Sequence, residues 1–288
     1  MKRLNCLIII LVLTMNSGCA GQDFDFEGME RSEKAFNERA RQETLTLMSL
    51  ETMFPNEDAR ALAKAAGKGK IKKVEELVKS GVDVDARGTQ GATPLFWAMA
   101  NYKGFKRLLE LGADPNIVYG DGNTVIHMAV RLKDSRFLEA LLEHGANPNL
   151  KVESVGKWKT LGHTPIFDAL SQGKDRVDLL LSAGADLNAK GNFGTTPVMS
   201  AVGRGDFEIA YYLLEQGADY RIKNDAGETL ASRVADTIGA LRPGSDAVKW
   251  QTKVIDWLES RGVQVRYQQP HRCGPAHRIA MLLAFASR

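Results

Sequence analysis

Cysteine is scarce in this sequence, with only Cys6, Cys19 and Cys273 among 288 residues. Three cysteines, two of them close to the N-terminus, cannot form the disulfide framework of a small secreted domain. Charge of one sign is lacking as well, because 38 lysines and arginines oppose 35 aspartates and glutamates. The formal net charge of +3 gives no strong electrostatic case for nucleic acid as a partner.

The commonest metal and acyl-transfer motifs are also missing. The chain has no His-Glu-x-x-His, no Gly-x-Ser-x-Gly and no paired Cys-x-x-Cys. Gly67-Lys-Gly-Lys lacks the Ser or Thr and the upstream strand of a phosphate loop. His271, Cys273 and His277 supply three ligands without a fourth, which makes a poor zinc site. We therefore predict a protein that is not an enzyme, with no catalytic residue, no bound metal and no cofactor.

The apolar run from Leu7 to Leu13 is too short to span a bilayer, which takes roughly 20 apolar residues. Lys2 and Arg3 precede the run, and small or polar residues follow it up to Gly18. This order is typical of a secretory signal peptide, which we predict over residues 1–18. Without Lys2 and Arg3 the mature chain carries a net charge of about +1.

The ending Ser17-Gly18-Cys19 resembles a bacterial lipobox, whose cysteine is acylated and becomes the first residue of a lipoprotein. The resemblance implies lipidation of Cys19, and Ala20 after it implies sorting to the outer membrane, facing the periplasm. Asn16 departs from the aliphatic residue usual at its position, so cleavage by ordinary signal peptidase stays the alternative. Residues 19–56 are polar and predict a lipid-anchored tether, with one helix over 32–47.

The rest of the chain is dominated by a repeat. A Gly-Ala/Val-Asp/Asn signature recurs at intervals of 31, 33, 39, 33 and 45 residues, and a Thr-Pro-Leu-like signature keeps the same period. The glycines of the first signature are Gly81, Gly112, Gly145, Gly184, Gly217 and, in degraded form, Gly262. The threonines of the second are Thr93, Thr124, Thr164, Thr196 and Thr229.

These signatures resemble the ankyrin repeat family, whose pattern is Thr-Pro-Leu-His-x-Ala, a leucine-rich second helix and Gly-Ala-Asp-x-Asn. Thr93-Pro-Leu-Phe-Trp-Ala98 matches the first half, and Leu108-Leu109 matches the second. The resemblance implies an all-α ankyrin-repeat solenoid of about six helix-turn-helix units with hairpin loops. We place this domain at residues 57–266 and a C-terminal tail at 267–288.

Individual positions in the units carry further expectations. We expect Leu62, Ala65, Ala66, Val74 and Leu77 to face inward in the first unit, and Leu230, Ile255 and Leu258 in the last. His127 occupies the histidine position of the motif and predicts a hydrogen-bonded structural role. Residues 151–162 predict an expanded hairpin, where insertions often mark the binding face of a solenoid. Residues 241–251 predict a loop between the two helices of the last unit.

The family resemblance implies that hairpin tips and the inner faces of the first helices bind a partner. Trp, Tyr and Arg dominate binding energy at protein interfaces, and Trp158 lies in the expansion, where no stacking neighbour is required. For Trp97 and Phe193, packing on neighbouring units is an equal alternative. The predicted partner-binding residues are Gln90, Trp97, Tyr119, Asp121, Arg131, Leu132, Trp158, Leu161, His163, Asp168, Phe193 and Arg204.

Two segments, residues 53–66 and 91–97, look like periplasmic ankyrin lipoproteins of Gram-negative bacteria. Some of these are encoded beside phospholipase effectors of type VI secretion systems. The resemblance implies an immunity protein that binds and blocks a lipase effector, with contact to the membrane through its lipid anchor and no nucleic acid partner. The alternative is a general periplasmic scaffold or chaperone that supports an envelope enzyme.

Overall fold

The computed structural model describes residues 49–120, 122–153 and 161–266. Features predicted from the sequence that lie outside the described residues are the signal peptide 1–18, Cys19, the helix 32–47, Asp121, Trp158 and the tail 267–288 with its His271, Cys273 and His277.

Within the described residues, the chain folds into six pairs of helices, units 1 to 6, each with a first helix, a turn and a second helix. A short helix, α1 (Leu50–Met53), precedes them. The pairs are α2 (Glu57–Gly67) with α3 (Ile71–Lys79), α4 (Pro94–Trp97) with α5 (Tyr102–Glu110), α6 (Val125–Arg131) with α7 (Arg136–Glu143), α8 (Pro165–Ala169) with α9 (Lys174–Ser182), α10 (Pro197–Gly203) with α11 (Phe207–Glu215), and α12 (Leu230–Asp236) with α13 (Asp246–Glu259). The predicted all-α solenoid of about six units is confirmed.

In units 2 to 6 a threonine is the N-cap of the first helix, whereas Asn56 takes this position in unit 1. In unit 2 the Thr93 hydroxyl accepts the backbone N–H of Phe96 at 3.3 Å, and Pro94 takes the first helical position. A threonine cap satisfies one of the N–H groups that a helix start leaves without a partner, and proline there sacrifices no hydrogen bond. Each second helix is followed by a glycine with positive φ, for example 82° at Gly145, which ends the helix in the left-handed region.

The core runs along the stack between the helices. The alanines that end the motif, Ala98, Ala129, Ala169 and Ala201, are fully buried, which lets the paired helices approach closely. At the junction of units 1 and 2 the backbones lie close together, because a Cβ on Gly104 would lie 1.9 Å from the backbone oxygen of Ala66. Since no unit covers its own apolar face, stacking stabilises the array.

Side-chain hydrogen bonds join successive units beside the second helices. Asn116 accepts the backbone N–H of Asn147 at 2.7 Å, and its amide donates to the carbonyl of Gly145 at 3.0 Å. Asn149 repeats both contacts, accepting from Asp186 at 2.7 Å and donating to Gly184 at 2.9 Å. The asparagine two residues after the Asp or Asn of the repeat signature therefore connects each of these units to the next.

The expansion between units 3 and 4 begins and ends in a two-stranded antiparallel ribbon, which the all-α prediction does not include. Strand β1 (Val152–Glu153) pairs with strand β2 (Leu161–His163), with an irregularity after Val152. The location of the expansion at a hairpin agrees with the sequence prediction.

Unit 6 differs from its prediction in two respects. Helix α13 begins at Asp246, so the last six residues of the predicted loop 241–251, which include Lys249 and Gln251, belong to the helix. Leu230 and Leu258 are buried as expected, but Ile255 is half-buried and Val254 is fully buried in its place.

Residues before the predicted domain boundary at residue 57 already pack on unit 1. Met53 and Phe54 are fully buried, and Arg60 donates to the Phe54 carbonyl at 3.3 Å. Residues 49–55 therefore pack on unit 1, although the sequence assigned them to the tether. Of the five residues expected to face inward in this unit, four are buried and Leu77 is half-buried.

Candidate protein-binding surface

The segments that connect one unit to the next form hairpin tips on one side of the stack. Gln90 and Phe193 occupy equivalent positions in two of these tips, with positive φ values of 54° and 56°. The carbonyl of Gln90 accepts the N–H of Gly120 at 2.7 Å, and that of Phe193 accepts the N–H of Asp225 at 3.0 Å. Each left-handed residue therefore links its tip to the tip of the next unit.

Phe193 is the most exposed of the large apolar residues in the described part of the chain, with 81% of its surface accessible. Gly194 beside it has a φ of +67°, and a Cβ there would lie 2.3 Å from Asp225 Oδ1. The tight turn therefore holds the phenylalanine ring out to solvent. For Phe193, the alternative of packing on a neighbouring unit is wrong.

Val118 is a second exposed apolar residue at a tip, with 48% of its surface accessible. The sequence analysis missed it, because valine is typical of a buried position and the repeat signature does not cover it. Val118 lies one residue before Tyr119, at a predicted tip, and this position in the sequence could have identified it.

Tyr119 was expected to be exposed at a tip, and this expectation is wrong. Only 3% of its surface is accessible. Its ring packs edge-on against Phe96, with centroids 5.3 Å apart, and its hydroxyl lies 3.3 Å from the Thr93 hydroxyl. The aromatic side chain of the preceding unit offers more contact than water, so Tyr119 belongs to the core between units 2 and 3.

Trp97 lies on the inner face of unit 2 and is half-buried. Its ring packs edge-on against Phe54, with centroids 6.5 Å apart. A Cβ on Gly67 would lie 2.8 Å from the same ring. For Trp97 the alternative of packing on a neighbouring unit is confirmed, and only part of the residue stays accessible.

Three predicted residues come together on the inner face of units 3 and 4. Arg131 donates from Nε and Nη2 to Asp168 Oδ1 at 3.1 and 2.8 Å. The Arg131 side chain is 55% exposed, whereas that of Asp168 is 10% exposed. The His163 ring stacks on Phe167, with centroids 4.6 Å apart. The cluster thus holds an exposed guanidinium group in place through a largely buried carboxylate.

His127 lies beneath this cluster and is fully buried. Its Nδ1 lies 2.7 Å from the Thr124 hydroxyl and its Nε2 lies 3.1 Å from the carbonyl of His163. A carbonyl only accepts, so Nε2 carries the proton and Nδ1 accepts from Thr124. Burial lowers the pKa of His127 to about 4 and lowers the pKa of His163 as well. The predicted structural role of His127 is confirmed.

The other predicted partner residues lie apart from this cluster. Arg204 is exposed at the end of α10, and Leu132 is half-buried after α6. Gln90 is half-buried at its tip. Leu161 lies in strand β2, and its side chain is outside the described part of the structure.

A cluster of aromatic and basic side chains lies on the second helices of units 5 and 6. None of these residues is among the partner-binding residues predicted from the sequence. Lys253 lies 3.8 Å from the Trp250 ring centroid, and Tyr211 packs on the same ring at 5.8 Å. Arg261 covers the Trp257 ring at 3.4 Å. The spacing of two helical turns between the tryptophans is the signal that places them on one face.

Neither a membrane span nor a metal site is found in the part of the chain that the structure describes. No helix there is long and apolar enough to cross a bilayer. Nor does any group of three or more His, Cys, Asp or Glu side chains there have the arrangement of a metal site.

Comparison with known proteins identifies a repeat family. A family model described as ankyrin repeats, in three copies, matches residues 41–119, 62–152 and 126–224. Protein PhlB of Serratia liquefaciens is 32% identical over 148 residues, which is 50% of this chain and 62% of that protein.

Two further relatives come from eukaryotes. Human ankyrin repeat and SOCS box protein 16 is 29% identical over 231 residues, 67% of this chain and 50% of its own. The E3 ubiquitin-protein ligase KEG of Arabidopsis thaliana is 24% identical over 263 residues, 64% of this chain and 16% of its own. The chain spans less than two thirds of the length of each of these three relatives.

Proposed function

Because the chain belongs to the ankyrin repeat family, whose stacked units are a protein-interaction module, we propose that it binds its partner through the hairpin tips and the inner face. More specifically, we propose an immunity protein, anchored to the outer membrane through Cys19, that binds a type VI secretion phospholipase effector in the periplasm. The resemblance of residues 53–66 and 91–97 to periplasmic ankyrin lipoproteins supports this assignment. Covering the entrance to the lipase active site requires shape and a few strong contacts, and no catalysis by this chain.

The observation that carries the proposal is Phe193. A phenylalanine in the left-handed region, here with a φ of 56°, costs about 1–2 kcal/mol relative to the right-handed region. Glycine or asparagine occupies that region with less strain. With 81% of its surface exposed, the ring returns little packing energy to the fold. The fold neither favours the backbone conformation of Phe193 nor buries its ring. A contact with another protein would explain why phenylalanine occupies this position.

An apolar pocket on the partner protein would receive the Phe193 ring. Fully desolvated aromatic anchors are typical hot spots, whose truncation costs about 2 kcal/mol or more. Val118 (48% exposed) on another tip adds apolar area. The Arg131 guanidinium, held by Asp168 at 2.8 Å, adds a charged contact on the inner face.

The test is co-purification of the full chain with a candidate lipase, followed by measurement of the dissociation constant and of lipase inhibition. Phe193→Asn is expected to weaken binding by about 30-fold or more. The same substitution is expected to leave thermal unfolding unchanged or slightly improved, because asparagine tolerates a positive φ.

Ile238→Asn is the matched control. Ile238 is 37% exposed but follows helix α12, on the side of unit 6 away from the hairpin tips. This variant is expected to bind the lipase as the unchanged chain does. Equal affinity of the Phe193 and Ile238 variants would reject the assignment of the tip. An envelope enzyme bound in place of a lipase would reject the immunity role and favour a scaffold.

A further inference from the structure

A second surface lies at the end of the helices opposite the hairpin tips, where each first helix turns into its second. We call the surface formed by residues 68–72, 101–103 and 132–136 the turn edge. Its turns lie side by side. A Cβ on Gly69 would lie 2.8 Å from the Asn101 side chain, and the Arg136 guanidinium lies 4.6 Å from the Tyr102 ring centroid. The turn edge is therefore continuous across units 1 to 3.

Lysine is concentrated on this edge. Within the described residues, none of the five lysines there lies within ion-pair distance of a carboxylate, and all five are exposed. They are Lys68, Lys70, Lys72, Lys103 and Lys133. Three acids on or close to the edge are already paired, in the bridges Glu75 to Arg107, Glu76 to Lys73 and Asp134 to Arg136. The turn edge therefore keeps a local excess of positive charge on a chain that is nearly neutral overall.

Helix stability does not explain these lysines. Lys68 caps the C-terminus of α2, where a cation interacts favourably with the helix dipole. Lys70, however, is the N-cap of α3, Lys72 is its second residue, and Lys103 is the second residue of α5. A cation at a helix N-terminus is unfavourable. Binding of a partner that carries negative charge would explain the presence of these lysines.

We propose that the turn edge binds an anionic phospholipid surface. This inference rests on the envelope anchoring proposed above and does not depend on the identity of the protein partner. Ser49, where the described chain begins, follows Cys19 by 30 residues, and unit 1, which carries three of the five lysines, comes directly after that segment. Binding through the turn edge directs the hairpin tips, with Phe193, away from the bilayer and toward the partner.

The strength of such binding follows from the charge. Each lysine near an anionic membrane contributes about 1 kcal/mol, or about fivefold in partitioning. Neutralising three lysines is therefore expected to weaken binding about 100-fold at low ionic strength, and added salt is expected to reduce the difference.

The experiment is cosedimentation of the full chain, carrying Cys19→Ala to prevent acylation, with two kinds of vesicle. One contains phosphatidylglycerol with phosphatidylethanolamine, and the other contains phosphatidylcholine alone. The leader, with its apolar segment and with Lys2 and Arg3, is the same in every variant, so its contribution cancels when the binding of the variants is compared. The edge variant combines Lys68→Gln, Lys70→Gln and Lys103→Gln.

The matched control removes the same charge from the hairpin side of the stack, where all three chosen lysines are exposed. It combines Lys79→Gln, Lys151→Gln and Lys223→Gln. We expect the edge variant to lose about 100-fold in binding to the anionic vesicles, while the control keeps the binding of the unsubstituted chain. The edge variant is expected to bind the lipase unchanged, because its three lysines lie away from the hairpin tips, and this separates the test from that of the proposed function.

Three results would overturn the inference. The first is an equal loss of binding to anionic vesicles in the edge variant and the control, which would indicate an effect of net charge alone. The second is equal binding of the chain to both kinds of vesicle. The third is binding to an anionic polymer that depends on the turn edge, without preference for anionic vesicles, which assigns the edge to a polyanion instead of a bilayer.

Discussion

Protonation of His127 is expected to destabilise the fold at mildly acidic pH. Burial lowers the pKa of His127 from 6.5 to about 4, so the unfolded chain binds more protons than the folded chain between these values. The free energy of unfolding therefore has its full value above about pH 6.5 and falls as the pH decreases toward 4. The linkage relation gives a loss of about 2 kcal/mol between pH 7 and pH 5.

The reason lies in the two contacts of the ring. Nε2 donates to the His163 carbonyl at 3.1 Å, and Nδ1 accepts from Thr124 at 2.7 Å. A second proton on Nδ1 removes the acceptor that Thr124 uses and places a charge in a fully buried position, which is costly without a counter-charge.

The assay is urea unfolding of the full chain, followed by far-UV circular dichroism at several values between pH 7 and pH 5. His127→Phe is the informative variant, because Phe96 and Phe167 occupy the same position in units 2 and 4. Its absolute stability is expected to be lower, since the His163 carbonyl and Thr124 lose a partner. Its dependence on pH is expected to be much shallower, with a residual slope from His163, whose pKa is also lowered. A slope equal to that of the unsubstituted chain would refute the reasoning.

Three further predictions concern stability and are measured by the same unfolding assay. Gly104→Ala is expected to destabilise by about 2 kcal/mol or more, because the added Cβ would lie 1.9 Å from the Ala66 carbonyl oxygen; little change would mean that α5 shifts freely. Gly203→Ala is expected to stabilise by about 0.5–1 kcal/mol, because the added Cβ meets nothing within 4 Å; a loss would contradict the open space there. Asp85→Asn is expected to stabilise by about 1 kcal/mol, since burial raises the pKa of Asp85 and asparagine can donate to the Gly112 carbonyl; a gain equal at pH 3 and pH 7 would exclude the charge as the cause.

The sequence predicts the units well because their boundaries depend on local chemistry. Thr93 and Thr196 cap helices through their own hydroxyls, and Gly145 ends one through its own backbone, with a φ of 82°. Such interactions stay within a few residues of the chain, so a pattern of residue types identifies them.

Contacts between units are harder to predict from the sequence. Tyr119 is buried because Phe96, in the preceding unit, packs against it with centroids 5.3 Å apart. Trp97 is half-buried because Phe54 lies before unit 1, in a segment without the repeat signature. The repeat period gives each residue a position in its unit, but not the size of the side chain that faces it across the stack.

The conformation of Phe193 has a signal that was overlooked. Gly88 and Gly91 flank Gln90 with the same spacing with which Gly191 and Gly194 flank Phe193. Both turns have left-handed residues between those glycines, and the shared spacing predicts a shared turn. The spacing of the glycines could not predict the exposure of the Phe193 ring, because exposure depends on whether a neighbouring side chain packs against the ring.

The asparagine connections between units have a consequence for the evolution of the array. Asn116 supplies both the acceptor for Asn147 and the donor to Gly145, so one side chain makes both of these hydrogen bonds between the units. A gene duplication that copies one period, such as the 33 residues from Gly112 to Gly145, brings this junction with it. The array can therefore lengthen or shorten by whole periods. A larger recognition surface can evolve in this way without a new kind of contact between units.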